Sequence, residues 1–457
     1  MWAEPLSLQG QKASLPGKNP PQTSLKLGYR CAAFVFQQRL QQDSFLTHLT
    51  ASQTSTRRAN ASWRRLRHQL LACALAFMGT ALAAQAADSA EQNEPVKSKT
   101  VKTKTDKAVK SPKRAHVSKH KRPRLARSAA KLGPAYATRP EVMRFADELA
   151  ERRNLNPQWV RRAIGQATRV PAVVRLMQPS TQPFVKNWAA YRGRFIDAAR
   201  IDAGVQFWKD NRAALARAEK EYGVPSEIIV GIIGVESIYG RNTGSFRVID
   251  AITTLAFDFP ASHPRAAERA DFFKGEVEQF LSLQSRMGAD PLLPLGSYAG
   301  AMGMPQFLPS SWARFAVDYD GDDKIDLWNS PADVIGSVAN YFKAFGWNPG
   351  MPTHYPVRFD STKLDLDALM APDILPTFGV ASFTAKGAVL EGPGLEHTGP
   401  LALVELLNGP DPASYVAGTE NFYAITRYNW SSYYAMAVIE LGDEVKRAMR
   451  DTEKLPS

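Results

Sequence analysis

Glu236 ends an unusually apolar run and is the residue best placed in this sequence to do acid–base chemistry. The run opens at Val224-Pro225-Ser226-Glu227 and continues through Ile228, Ile229, Val230, Ile232, Ile233 and Val235. Pro225 suits the first turn of a helix. The residues after it are apolar on almost every side, and a helix of that kind is buried all round. Glu227, in the first turn, is expected to be solvated. Glu236 instead stands just before the Tyr239-Gly240 break, where a core helix opens into a cleft. Desolvation there disfavours the carboxylate and raises its pKa. A carboxylic acid kept protonated near neutral pH is what donation to a glycosidic oxygen requires. Read from the residues alone, a structural glutamate paired with Arg241 or Arg247 competes with this assignment. Glycosidases ordinarily flank the scissile bond with two carboxylates. No second acid is obvious near Glu236, and Asp250 and Asp258 are candidates only by proximity.

A second cluster offers metal chemistry. Asp318, Asp320 and Asp322 alternate as in the first half of an EF-hand loop, and the Lys324 carbonyl falls at position seven. Position six, where glycine is expected, is Asp323; position twelve, where glutamate is expected, is Asn329. The next acid is Asp333. A calcium held here would stabilise the fold and stay out of the chemistry. An unmetallated Asp-rich turn is the alternative.

These groups need a scaffold, and the sequence predicts a mainly α (α+β) one. Pro140-Glu141 opens a stretch with apolar residues at Val142, Phe145, Ala146 and Leu149, a helical spacing. Further helices are predicted over roughly 157–167, 195–222, 225–238, 265–286, 331–345 and 432–449. Residues 353–425 carry short β-branched or aromatic runs broken by Gly, Pro and Asp, and read as a small strand-rich insert. Segments 170–190 and 289–310 read as ordered but irregular.

Of the formal charge of +13 over 457 residues, residues 1–87 carry +8 and 88–135 carry +10, which leaves −5 for 136–457. The basic character therefore belongs to the N-terminal third and does not make the folded part a nucleic-acid binder. The only cysteines, Cys31 and Cys73, precede the folded part. That excludes from it a disulfide scaffold, a cysteine-ligated zinc and a cysteine nucleophile. Arg64, Arg65 and Arg67 precede an apolar run from about Leu70 to Ala84 that ends in Ala84-Gln85-Ala86, the three-part form of a secretory signal. About sixty residues without helical or strand period come first, so translation is expected to begin downstream of Met1. Cys73 sits before most of the apolar run, which argues against a lipoprotein box. Residues 88–135 are dominated by Lys, Ser, Thr and Pro and cannot bury enough surface to fold. They read as a disordered basic tether, able to touch anionic lipid head groups or acidic wall polymers. The expected order is an N-terminal extension with signal (1–87), a linker (88–135) and a folded domain (136–457).

Three long blocks carry a family likeness. VPSEIIVGIIGVESIYGRNTGSFRVIDAITTLAFDFP, the stretch from GSYAGAMGMPQF to VANYFKAFGW, and NFYAITRYNWSSYYAMAVIELG resemble, in order, the lytic murein transglycosylase B family. The likeness spans roughly residues 136–450. It implies a lysozyme-like helical core with a small β subdomain, and cleavage of the MurNAc–GlcNAc β-1,4 bond of peptidoglycan. It also implies that Glu236 is the single catalytic acid. Ser297, Gln306 and Phe307 fall in the block that lines the sugar sites; Tyr191, Tyr341, Tyr428, Asn429 and Tyr434 match cleft-lining positions. Arg265 is the one arginine left where the family carries a Pro-Arg-Arg segment. Met304-Pro305 stands where the family often has a bulky residue followed by Gly. Asp333 matches the late acid that closes the family's lengthened calcium loop.

The export signal leads us to expect periplasmic location; the resemblance implies glycan strands of the wall as the partner and no cofactor in the chemistry beyond a structural Ca2+, with wall-synthesis proteins as candidate further partners. A hydrolytic muramidase on the same fold, a non-catalytic wall-binding protein and a calcium-regulated adaptor are the competing readings.

Overall fold

The computed structural model describes residues 135–179 and 186–454. The signal, the basic tether and the boundary at 87 lie outside the described residues. The chain runs through α1 (Pro140–Arg153), α2 (Pro157–Gly165), α3 (Pro171–Leu176), α4 (Trp188–Arg192), α5 (Ala198–Asp210), α6 (Arg212–Tyr222) and α7 (Ser226–Ser237). A two-residue strand β1 (Phe246–Arg247) leads into α8 (Val248–Phe257) and α9 (Ala266–Arg286). Strand β2 (Leu295–Gly296), α10 (Pro309–Phe315) and α11 (Pro331–Ala344) follow, and α14 (Glu420–Thr426) and α15 (Ser432–Lys454) close the core. Between α11 and α14 lies the predicted insert: β3 (His354–Phe359), α12 (Leu366–Met370), α13 (Val380–Ala385), β4 (Ala388–Leu390), β5 (Ala402–Asn408) and β6 (Asp411–Gly418). Its strands form one antiparallel sheet in the order β4-β3-β6-β5. A core of its own forms around Tyr355, Leu369, Phe383 and Leu403, apart from the main helical core.

Two differences from the sequence reading have plain causes. The helix expected over 195–222 divides into α5 and α6 at Asn211, whose side chain donates to the Phe207 carbonyl at 2.8 Å. Helix α8 was not expected. Its sequence VIDAITTLAF is buried at every position but the last, so no polar face marks a helical period, and its β-branched residues favour strand by propensity.

Helix α7 runs through the centre of the core, with every residue but Glu227 buried. Two glycines set how closely it meets α15. A Cβ on Gly231 would stand 2.2 Å from the Val438 carbonyl oxygen, and one on Gly442 would stand 2.2 Å from that of Glu227. Backbone meets backbone at both points, so neither neighbour can yield by turning a side chain. Gly231→Ala is therefore expected to destabilise the fold by about 1–3 kcal/mol, as overpacking does, read as a lower denaturant midpoint with an unchanged m-value.

Candidate active site

Helix α7 stops at the point where its acid is needed. Ile238 and Tyr239, directly after Ser237, both take left-handed backbone conformations (φ 52° and 54°), which cost an L-residue with a branched or bulky side chain roughly 1–2 kcal/mol. The turn is held by hydrogen bonds from the Gly240 amide to Ser237 Oγ (3.0 Å) and from the Asn242 amide to the Ser237 carbonyl (2.8 Å). Glu236 is thereby fixed at the last turn, 8% exposed. Tyr434, in the first turn of α15, donates its hydroxyl to Glu236 Oε1 at 2.5 Å. Burial, and then the charge of the Glu236 carboxylate, hold the Tyr434 hydroxyl well above the ordinary tyrosine range, so Tyr434 remains a donor at any working pH. The ring of Tyr428 stacks on that of Tyr434 at 6.4 Å and 15°. Tyr434→Phe, which deletes this donor and little else, is expected to lower turnover about 10- to 100-fold, the worth of one hydrogen bond to a charged group, with a smaller change in KM.

Glu227 and the two acids the sequence offered beside Glu236 are committed elsewhere. Glu227 accepts from Lys446 (2.6 Å). Asp250 accepts from the Thr168 amide (2.9 Å) and from Arg247 (2.6 and 2.8 Å). Asp258 accepts from Tyr136 (2.6 Å) and Arg139 (2.9 Å) and lies 3.4 Å from Arg169. The partnership of Arg247 with Asp250 also accounts for one of the two arginines that the sequence offered to Glu236.

The block GSYAGAMGMPQF is brought to α7 by backbone contacts. Phe246 pairs with Gly296 and Arg247 with Leu295. Gly244 approaches so closely that a Cβ there would lie 2.1 Å from the Gly296 carbonyl carbon. Beyond this junction Ser297 Oγ accepts from the amides of Ala299 (3.3 Å) and Ala301 (3.0 Å), closing the turn. Gln306, at φ 52°, donates Nε2 to the carbonyls of Thr243 (3.1 Å) and Gly303 (2.9 Å). It thus ties the block to the loop that follows Glu236. Thr243 was missed by the sequence reading, because it acts through a carbonyl that any residue supplies. Met304 packs against Gly240.

Not all the residues expected to line a cleft offer it a surface. Tyr341 is fully buried and donates its hydroxyl to the Arg427 carbonyl (2.6 Å). Phe307 is buried against Tyr341 and Tyr428, and Tyr428 donates to the Pro305 carbonyl (2.6 Å). These three rings pack on one another, Tyr341 against Tyr428 with centroids 4.7 Å apart. Asn429 is half-buried, and its Oδ1 has no hydrogen-bond partner among the described residues. Tyr191 is half-buried on α4 and packs edge-to-face on Tyr433, the neighbour of Tyr434. Arg265 precedes α9 and pairs with Glu268.

In the acidic loop, Asp318, Asp320 and Asp333 bring oxygens to within 4.8 Å of one another. Asp333 is buried at the start of α11 and accepts from the amides of Tyr319 (2.7 Å) and Asp326 (2.8 Å). Three carboxylates at that spacing fit a hard cation bound at the usual 2.3–2.6 Å or so to oxygen. Asp322 and Lys324 are exposed, and Asp322 accepts from the Lys324 amide (2.9 Å); neither belongs to the three-carboxylate cluster. Asp323 takes φ 66°, the left-handed turn for which this position ordinarily carries glycine and which Asp tolerates better than most residues.

Residues 137–443 match the family model described as a transglycosylase SLT domain. Over 334 residues the chain is 39% identical to the membrane-bound lytic murein transglycosylase B of Escherichia coli (strain K12), covering 69% of this chain and 86% of that protein. The chain belongs to the lytic murein transglycosylase B family. Among solved structures, the Escherichia coli lytic transglycosylase Slt35 in complex with bulgecin A is similar at 39% identity and TM-score 0.62, over 70% of this chain and 98% of that one. Slt35 in complex with calcium is similar to the same degree (39%, TM-score 0.62, 70% and 97%). SltB3 of Pseudomonas aeruginosa in complex with NAG-anhNAM-pentapeptide is 29% identical at TM-score 0.56, over 66% and 79%. As a family member this chain is an enzyme of the lytic transglycosylase type, with the helical lysozyme-like core and small sheet that its sequence led us to expect. Among the described residues no helix is long and apolar enough to cross a membrane.

Proposed function

We propose that this transglycosylase cleaves the β-1,4 bond between MurNAc and GlcNAc in peptidoglycan and leaves 1,6-anhydroMurNAc ends, with Glu236 serving first as acid and then as base. One observation carries the reading: Glu236 is buried at the end of an apolar helix under the Tyr434 hydroxyl, while Glu227, Asp250 and Asp258 each pair with a basic side chain. With one carboxylate the chemistry has to return its proton to the same group. Glu236 protonates O4 of the leaving GlcNAc as the C1–O4 bond breaks. The MurNAc N-acetyl oxygen stabilises the positive charge at C1. The Glu236 carboxylate then takes the proton of the C6 hydroxyl as O6 closes on C1. No water is consumed, and the intramolecular attack benefits from high effective molarity. Asn429 and Ser297 hold the acetamido group or O6, and Gln306 and Tyr191 hold the flanking sugars, with Arg265 at the edge. Release of soluble muropeptides from purified sacculi tests the reading; sacculus binding without release would mark a binding protein instead.

The acidic loop is read as a structural calcium site formed by Asp318, Asp320 and Asp333, with Asp322 and the Lys324 carbonyl closing on the ion. Support comes from the spacing of the carboxylates and from the calcium complex of Slt35. Calcium is expected to raise Tm and a chelator to lower it, by the mass-action increment that binding to the folded state gives. Asp333→Asn should abolish the calcium response, and a Tm indifferent to both additions would reject the site.

The protein acts in the periplasm. The signal run at the end of 1–87 supplies export, 88–135 a basic tether to the envelope, and 136–457 the catalytic domain with its 353–425 insert; wall-synthesis proteins are its further partners.

A further inference from the structure

Away from Glu236, a cavity of about 800 Å3 opens between α2 and the end of α9 with the loop that follows it. The α2 wall gives Asn156, Gln158, Trp159, Arg162 and Gln166; the other gives Gln284 and Asp290, among smaller residues. Cavities of this size hold small ligands, and a few fixed polar groups then set specificity. Gln284 is the informative residue. It is 1% exposed, and its Oε1 has no hydrogen-bond partner among the described residues. A buried amide oxygen left in that state is unfavourable, and a ligand N–H that reached it would relieve the cost. Arg162 makes no ion pair among the described residues. Asp290, on the facing wall, uses Oδ1 to accept the Leu292 amide (3.0 Å) and keeps its second oxygen for a donor.

We propose that this cavity is an accessory binding site for a short peptide that carries both a free carboxylate and a free amine, the chemistry of the peptide stems on the wall polymer. Arg162 takes the carboxylate, Asp290 the amine, and the amides of Gln158 and Gln284 the peptide groups, with Trp159 against aliphatic side chains. The site rests on the wall-polymer reading of the cleft, but it shares no residue with it. The two are joined through β1 and β2: the Gln166 carbonyl accepts from Arg247 (3.1 Å), and Arg247 pairs with Leu295, two residues before Ser297. A stem held here would keep the enzyme on the wall while the cleft works on a glycan strand.

The test is calorimetric titration of the full chain with a purified four-residue wall stem peptide. Saturable binding is expected, weakened about tenfold or more, some 1.4 kcal/mol, by Arg162→Ala and by Gln284→Leu. Neither variant should change turnover of peptide-free glycan strands. Gln284→Leu replaces an unsatisfied amide by a side chain of similar size, so it should fold at least as well as the parent. Absence of saturable binding, or binding indifferent to both substitutions, would overturn the site. Displacement of the peptide by a chitin-type oligosaccharide at the same residues would overturn the peptide assignment. Failure to cleave glycan strands would instead count against the reading of Glu236.

Discussion

Glu236→Gln should fold as the parent does and lose about 10²- to 10⁴-fold in turnover of peptidoglycan, the usual worth of a positioned general acid or base. The substitution keeps size and hydrogen-bonding capacity. The carbonyl of the substituted amide can still accept from Tyr434, whose hydroxyl now meets Glu236 Oε1. What disappears is the transferable proton and the group that reclaims it. Because the same carboxyl is assigned both steps, no second residue can restore half of the activity. Binding of intact sacculi should survive, so the loss falls on kcat. Retention of parental turnover would remove Glu236 from the chemistry.

A large effect of a different kind is expected at Glu276. This carboxyl is buried on α9 and accepts from the amide (3.0 Å) and the hydroxyl (2.6 Å) of Ser310, in the first turn of α10. Burial, opposed by the Ser310 hydrogen bonds, pushes it up from 4.5 to about 7. A carboxyl with a raised folded pKa holds its proton in the native chain after the unfolded chain has released it. Stability is therefore full below about pH 4.5 and falls as pH rises toward 7, by on the order of 3 kcal/mol at 1.36 kcal/mol per unit. Glu276→Gln removes the titration. The difference in denaturant midpoint between parent and variant should change across that window and level off above it. A difference independent of pH would show that Glu276 does not titrate there. Since α10 follows directly on the block that carries Gln306 and Phe307, the same substitution bears on how that block is seated.

What the sequence made legible was whatever leaves a mark in residue type. Glu236 stood out because an acid is rare at the end of a run such as IIVGIIGV, and the folded chain does bury that run on all sides. Asp318 and Asp320 stood out by alternation, and Asp333 joins them across the intervening turn. Helix α8 left no mark, since burial on all faces erases the amphipathic period. The burial of Tyr341, Phe307 and Tyr428 was not legible, because an aromatic residue reads the same in a core as at a surface. Thr243 and Pro305 contribute carbonyls, and no side-chain pattern announces a carbonyl. Nothing in the residue pattern marks Gln284 or Glu276 within the helix predicted over 265–286; the packing of α9 puts both inside.

The most direct test of the central claim is the mass of the sugar ends released from purified sacculi. If Glu236 returns its proton by way of the C6 hydroxyl, the muropeptides carry 1,6-anhydroMurNAc, are lighter by one water than the hydrolysis products, and resist borohydride reduction. Reducible MurNAc ends at the full hydrolytic mass would mean that water attacked C1 and would contradict the one-carboxylate mechanism.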